Sequence, residues 1–115
     1  PGEFTTPHAV WVDPAERVLV ADRENNRVQL FDLEGRFLEA WPDFFHPMDI
    51  YADSDGNVFV TDQIPRLSML SPDGTLIGRC RPVRFGAHGV AGDADGNLYL
   101  AETAPLDCIS RLRLL

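Results

Sequence analysis

Two histidines, His8 and His88, stand in matching local settings in a chain of 115 residues. His8 lies in PHAVWVD and His88 in AHGVAGD, so each precedes a short apolar run that leads to aspartate. Imidazole nitrogen is a preferred protein ligand of zinc, and histidines that converge on one point predict a metal site. His8 and His88 would converge if the segments that carry them were equivalent parts of one fold.

The two segments are equivalent because the chain repeats itself every 40 residues. Three copies of the repeat begin at Pro7, Pro47 and Ala87. In each copy, short runs of β-branched and aromatic residues alternate with turn sequences, which is typical of β-strands. The turns DSDGN and DADGN contain Gly56 and Gly96, which supply the positive φ that a tight hairpin needs. Four antiparallel strands in about 40 residues are typical of one blade of a β-propeller.

The sequence therefore predicts an all-β propeller chain of three blades. Residues 7–44 and 45–83 would each form a blade, residues 84–115 would add three strands of another, and residues 1–6 would be an outer strand that closes a blade. Propellers have about four to eight blades, so three blades do not close a ring. We expect two copies of the chain to close a six-bladed ring as an obligate homodimer.

The stretch VADRENNRVQLFDLEGRF resembles the NHL repeat, in which a strand ending in aspartate leads through an Asn-rich turn to NRVQ. Within NHL proteins, PHAV followed by VADRENNRVQ looks most like the peptidyl-hydroxyglycine amidating lyases. Those enzymes are six-bladed propellers whose catalytic zinc is held by histidines at the start of inner strands. The resemblance implies that His8 and His88 bind zinc and that Arg23 binds substrate. The lyases use three such histidines, whereas Met48 occupies the middle position here, and their active-site tyrosine has no match.

Two further residues stand near the predicted site. His46 lies two residues before Met48, and side chains two apart in an extended segment point the same way, so His46 is the expected third ligand. Asp49 has no counterpart among the matching residues, Ala9 and Gly89. At the start of an inner strand it would act as a general base or metal ligand, or it would cap local backbone amides. Arg23 is also unique to its copy, and its alternative role is that of an exposed loop residue.

These residues predict a zinc-dependent enzyme of lyase or hydrolase type, with Arg23 and Asp49 as catalytic residues and a small-molecule or peptide substrate in the central channel. Because the lyase tyrosine is missing, hydrolysis of an ester, lactone or phosphotriester is one alternative. The other is a non-catalytic NHL propeller that binds a protein or peptide, or an engineered assembly module. Calcium is less favoured than zinc, because the D-x-D-G turns lack the glutamate that ends a calcium-binding loop.

Charge and hydropathy exclude other classes of partner. The chain has 18 acidic and 10 basic residues and a net charge of −8, which argues against binding to nucleic acid. No apolar stretch approaches the roughly 20 residues that span a bilayer. The first residues, PGEFTTPHAV, lack the basic and apolar regions of a signal peptide. We therefore expect a soluble chain that binds neither nucleic acid nor membrane, and its cellular location stays open.

Overall fold

The computed structural model describes residues 1–83 and 86–113, which form three antiparallel β-sheets. The first sheet contains β1 (Pro7–Val12), β2 (Val18–Asp22), β3 (Arg27–Phe31) and β4 (Phe37–Trp41). The second contains β5 (Pro47–Ala52), β6 (Val58–Asp62), β7 (Arg66–Leu70) and β8 (Leu76–Cys80). The third contains β9 (Ala87–Gly92), β10 (Asn97–Glu102) and β11 (Ile109–Arg113). The all-β prediction and its count of four, four and three strands are confirmed.

Two parts of the predicted division into blades need separate comment. The limits of the third blade, residues 84 and 115, lie outside the described residues. In residues 1–83 the first strand begins at Pro7, so the outer-strand role of residues 1–6 stays a prediction. Those residues lie against the first sheet, where Arg27 Nη2 donates to the carbonyl oxygen of Glu3 at 2.9 Å. Arg66 donates in the same way to the carbonyl oxygen of Asp43, so residues 1–6 correspond to residues 41–46.

The hairpin between the first two strands of each sheet is closed by an aspartate side chain. In the second sheet, Asp53 Oδ1 accepts hydrogen bonds from the amides of Asp55 (3.0 Å) and Asn57 (2.9 Å). Asp13 and Asp93 do the same in their own hairpins. The positive φ predicted for two glycines is confirmed, at 84° in Gly56 and 83° in Gly96. The sequence repeat is therefore a repeat of local structure.

The sheets stack face to face and bury two apolar layers. The layer between the first and second sheets contains residues of both, among them Leu19, Ala21, Val28 and Leu30 with Ile50, Ala52, Val58 and Val60. The layer between the second and third sheets contains Phe59 and Leu67 with Val90, Leu98 and Leu100. Strands β1, β5 and β9 contact one another from sheet to sheet, so the first strand of each sheet lies innermost. This places equivalent residues of the three copies next to one another.

Each complete sheet is also held by a buried ion pair at the turn between its second and third strands. Arg27 Nε lies 2.8 Å from Asp22 Oδ2, and Arg66 Nε lies 3.0 Å from Asp62 Oδ2. Both aspartates are buried. None of the helical segments in the described residues has the length and apolar character that would let it cross a membrane.

Candidate functional site

The fold brings His8 and His88 into contact, although they are 80 residues apart in the sequence. Their ring centroids lie 4.8 Å apart and the rings meet edge to face at 63°. Both residues lie near the start of an innermost strand, β1 and β9. We call the end of the sheets at which β1, β5 and β9 begin the upper end. The convergence that the repeat predicts for these two histidines is therefore present in the structure.

A backbone contact sets the tautomer of His8. Its Nδ1 lies 2.7 Å from the carbonyl oxygen of Met48 on β5. Since a carbonyl only accepts hydrogen bonds, Nδ1 carries the proton and donates it. In the neutral ring, Nε2 then keeps its lone pair for another donor or for a metal ion. The same hydrogen bond ties the first sheet to the second.

A cavity of about 210 Å³ opens beside His88. It lies between the upper ends of the second and third sheets and combines polar and apolar groups. Its lining residues are Met48, Asp62, Gln63, Gly86, Ala87, His88 and Thr103. A volume of this size accommodates a few ordered waters or one side chain of a bound partner.

The side chain of His46 contacts residues other than His8 and His88. Its Nδ1 lies 2.9 Å from Gln63 Oε1, and its Nε2 lies 3.4 Å from Glu24 Oε2. The φ of His46 is 49°, so the chain is not extended there. The expectation that His46 and Met48 point the same way assumed an extended segment and does not apply. Within residues 1–83 and 86–113, no three His, Cys, Asp or Glu side chains are grouped closely enough to hold a metal ion. A ligand role for His46 stays a prediction.

Arg23 belongs to the same polar group as His46. It begins the 3₁₀ turn Arg23–Asn25 that connects β2 to β3, and its guanidinium pairs with the carboxylate of Glu24. Glu24 in turn faces His46, which faces Gln63 of the second sheet. We call Arg23, Glu24, His46 and Gln63 the upper network. It links the turns of two neighbouring sheets and is partly exposed.

Phe45 adds an apolar surface to the upper network. Its ring stacks on the His46 ring with a centroid separation of 4.3 Å and an angle of 16°. The side chain is 45% exposed. Its backbone is fixed from two sides, because its carbonyl accepts from the Gln63 amide at 2.9 Å and its amide donates to Asp62. The backbone of the second sheet therefore fixes the position from which an aromatic ring faces solvent.

Asp49 makes contacts of the backbone-capping kind. Its Oδ1 accepts from the amide of Ile50 at 2.9 Å and its Oδ2 from the amide of Val90 at 2.8 Å. Val90 lies on β9, so this carboxylate ties the second sheet to the third. The two oxygens that general-base or metal chemistry would use are both engaged by backbone amides.

Sequence reasoning did not single out Glu24, Phe45 or Gln63 as functional residues. Gln63 takes the place of Arg23 in the second copy of the repeat. The signal that points to these residues is their position, since they all lie in connections that meet at the upper end. Listing every polar or aromatic residue in those connections would have found them.

Comparisons with known proteins agree with this architecture. The family model described as NHL repeat matches residues 4–31. NHL repeat-containing protein 3 of Homo sapiens is 39% identical over 87 residues, which cover 70% of this chain and 25% of that protein. Protein lin-41 of Caenorhabditis elegans is 54% identical over 37 residues, which cover 32% of this chain and 3% of that protein. The chain thus spans about a quarter or less of the length of these curated relatives.

A solved structure shows the same fold. Hydrazine synthase of Kuenenia stuttgartiensis superposes on the chain with a TM-score of 0.77. The match covers 89% of this chain and 31% of that one, at 15% sequence identity. At this identity the likeness concerns the fold alone. It supports a β-propeller-like arrangement of the three sheets.

Proposed function

The chain contains an NHL repeat and has a β-propeller-like fold, and on that premise we propose that it is a non-catalytic module that binds a protein or peptide segment at its upper end. The observation that carries the proposal is the exposed ring of Phe45, stacked on His46 and held beside the upper network. Aromatic side chains fixed next to polar groups are typical anchors of binding surfaces. The cavity lined by Gln63 and His88 adjoins this surface.

The charge of the chain indicates the class of peptide. Its net charge is −8, and the Glu24 carboxylate, which pairs with Arg23 through Oε1, faces His46 through Oε2. Complementary charge favours a partner with basic side chains and speeds its association. An apolar side chain of the same partner would contact Phe45 or enter the cavity. We therefore expect a segment that combines arginine or lysine with a large apolar residue.

A peptide library tests this proposal directly. Fluorescent hexapeptides that vary the number of basic and large apolar residues would be titrated with the chain, and the tightest binder would be kept as the probe. Phe45→Ala should weaken that probe about tenfold, since truncating an anchor residue costs more than about 1 kcal/mol. Glu24→Gln should weaken it mainly at low salt. Ile77→Ala, an exposed apolar position on β8, is the matched control. Equal affinity of the Phe45 and Ile77 variants would contradict the proposal.

A second candidate function rests on the contact between His8 and His88. We propose that the free Nε2 of His8 and the ring of His88 take part in a zinc site. A catalytic zinc has three protein ligands, and the described part of one chain groups two. The lyase or hydrolase chemistry expected of Arg23 and Asp49 depends on such a site and remains a prediction. Titration with zinc in a calorimeter tests this proposal. His8→Ala and His88→Ala should each abolish the heat of binding, and a loss of heat in His46→Ala would identify His46 as a third ligand.

A further inference from the structure

Two opposite faces of the stack of sheets carry apolar side chains that no sheet formed by residues 1–83 and 86–113 covers. The first end face lies on the side of the first sheet that points away from the second, and it consists of Val10, Val12, Val18 and Val20. Val10 is 63% exposed and Val12 is 53% exposed. The second end face lies on the outer side of the third sheet and consists of Ala91, Tyr99, Ala101 and Ile109. Ile109 is 68% exposed.

The first end face is equivalent to a face that the chain buries. Forty residues along, its positions hold Ile50, Ala52, Val58 and Val60. The strand register is also the same, since Val10 pairs with Val20 as Ile50 pairs with Val60. All four residues of the second sheet are buried against the first sheet. The first end face therefore has the pattern of a surface that another sheet covers.

The second end face is equivalent to the opposite half of the same contact. Tyr99 and Ala101 take the positions that Leu19 and Ala21 have in the first copy. Ile109 takes the position of Val28, because Ala101 pairs with Ile109 as Ala21 pairs with Val28. Leu19, Ala21 and Val28 are fully buried against the second sheet. Each chain thus exposes both halves of an interface that it forms internally.

We propose that these two faces bind each other between two copies of the chain, and that two chains close one ring of six blades. The first end face of each copy would pack on the second end face of the other. A head-to-tail contact gives a closed ring when its rotation closes and an open filament when it does not. Three blades from each copy make six, which is within the range of about four to eight in known propellers. This inference does not rest on the proposed peptide binding.

Polar residues surround the apolar residues at the rim of the two faces. Across the internal contact, Arg17 Nη2 donates to the carbonyl oxygen of Pro72 at 2.8 Å. At the rims of the two end faces, Asn97 takes the position of Arg17 and Leu33 takes the position of Pro72. Asn97 pairs across the strands with Arg113, and Leu33 lies in a turn where the carboxylates of Asp32 and Glu34 both pair with Arg36. In a ring, Arg113 of one copy would face this charged turn of the other.

Ring closure also bears on the histidines. Each copy contributes one contacting pair, His8 and His88, on innermost strands. Two copies would place two such pairs around one axis.

Sedimentation velocity and native mass spectrometry of the 115-residue chain test the proposal. We expect a species of twice the mass of one chain at micromolar concentration. Val12→Glu and Ile109→Glu should each weaken the association at least about 100-fold, because each buries an unpaired charge in both contacts of the ring. Ile77→Glu, on the exposed strand β8, is the matched control and should leave the mass unchanged.

Mixing the two variants separates this arrangement from others. In a ring of one Val12→Glu chain and one Ile109→Glu chain, one contact contains both substitutions and the other contains neither. The mixture should therefore recover a two-chain species that neither variant forms alone, provided that circular dichroism shows each variant to be folded. A single-chain mass for the unsubstituted protein would overturn the proposal. Filaments, or an Ile109→Glu variant that associates normally, would also overturn it.

Discussion

At the scale of residues, the buried carboxylate of Asp22 holds several groups around it. It accepts hydrogen bonds from the amide of Thr5 at 2.9 Å and from the side chains of Asn25, Arg27 and Gln29. Burial by itself raises the pKa of Asp22, but these four donors outweigh it and hold the pKa below its usual value. The charged form is therefore the stable form in the folded chain.

Replacing Asp22 by alanine should destabilise the fold strongly. The change leaves Arg27 Nε and the Thr5 amide without their acceptor and Gln29 Nε2 with only the carbonyl oxygen of Glu3, in a buried setting, which costs about 3 kcal/mol or more. Urea denaturation followed by tryptophan fluorescence measures the difference in the free energy of unfolding. Asp55→Ala removes an exposed carboxylate from a turn and serves as control. A loss below about 1 kcal/mol for Asp22→Ala would show that the network contributes little.

The residues that sequence reasoning placed well are those that recur in the repeat. Asp22 with Arg27 and Asp62 with Arg66 are expected to pair because both copies contain them, and both pairs form. His8 and His88 are expected to converge for the same reason. The surroundings of His46 were not predictable in this way, because they depend on a positive φ that no local sequence signal requires of histidine.

At the scale of elements, Asp49 connects two sheets through a single carboxylate. The amide of Val90 on β9 donates to its Oδ2 at 2.8 Å. Asp49→Ala should lower the free energy of unfolding by about 1–3 kcal/mol, because the Val90 amide loses its acceptor. Asp49→Asn keeps an acceptor oxygen and should cost less. Equal losses for the two variants, measured by urea denaturation, would indicate that the charge rather than the hydrogen bond matters.

The turn between β7 and β8 packs more tightly than the equivalent turn of the first sheet. Gly74 and Gly35 both adopt positive φ, 85° and 83°. A Cβ at Gly74 would overlap the indole ring of Trp41, whereas a Cβ at Gly35 would meet nothing within 4 Å. The number of strands and the hairpin turns followed from the sequence because they are local. This contact was not predictable because it depends on how closely neighbouring sheets approach.

Alanine substitutions at these two glycines should therefore differ in cost. Each forces a Cβ into the left-handed region, at about 1–2 kcal/mol. Gly74→Ala should cost about 1–3 kcal/mol more, since the Trp41 ring must also move. The paired measurement, by thermal or urea unfolding, separates backbone strain from packing. Similar losses at both positions would mean that the Trp41 ring shifts without cost.

At the scale of the whole molecule, the end opposite the upper end is rich in aspartate. Hairpin carboxylates there accept hydrogen bonds from the backbone amides of their own turns, as Asp53, Asp73 and Asp93 show. Because such bonds stabilise the charged form, an excess of negative charge is compatible with the fold. The repeat made these turns predictable, whereas the two end faces are defined only once the sheets are assembled.

Acid should therefore destabilise the fold in a defined pH range. The hydrogen bond from the Asn97 side chain, followed by that from the Asn97 amide, lowers the pKa of Asp93 to about 2, and the Ser71 hydroxyl and Thr75 amide do the same for Asp73. In the unfolded chain these aspartate carboxyls have their ordinary pKa of 3.8. As the pH falls, they therefore take up protons before the same carboxyls of the folded chain do. The stabilisation is complete above about pH 4 and is lost as the pH falls toward about 2.

Asp93→Asn removes one of these titrating groups but keeps an acceptor oxygen, so it should flatten the dependence of the unfolding free energy on pH between about 4 and 2. Because it gives up charge-assisted hydrogen bonds, it should also be less stable than the unsubstituted chain at pH 7. Asp95→Asn, two residues further along the same turn and exposed, removes the same charge and is the matched control. Urea denaturation at half-unit steps of pH measures the slopes. If Asp93→Asn and Asp95→Asn changed the slope equally, net charge rather than the hairpin hydrogen bonds would govern acid stability.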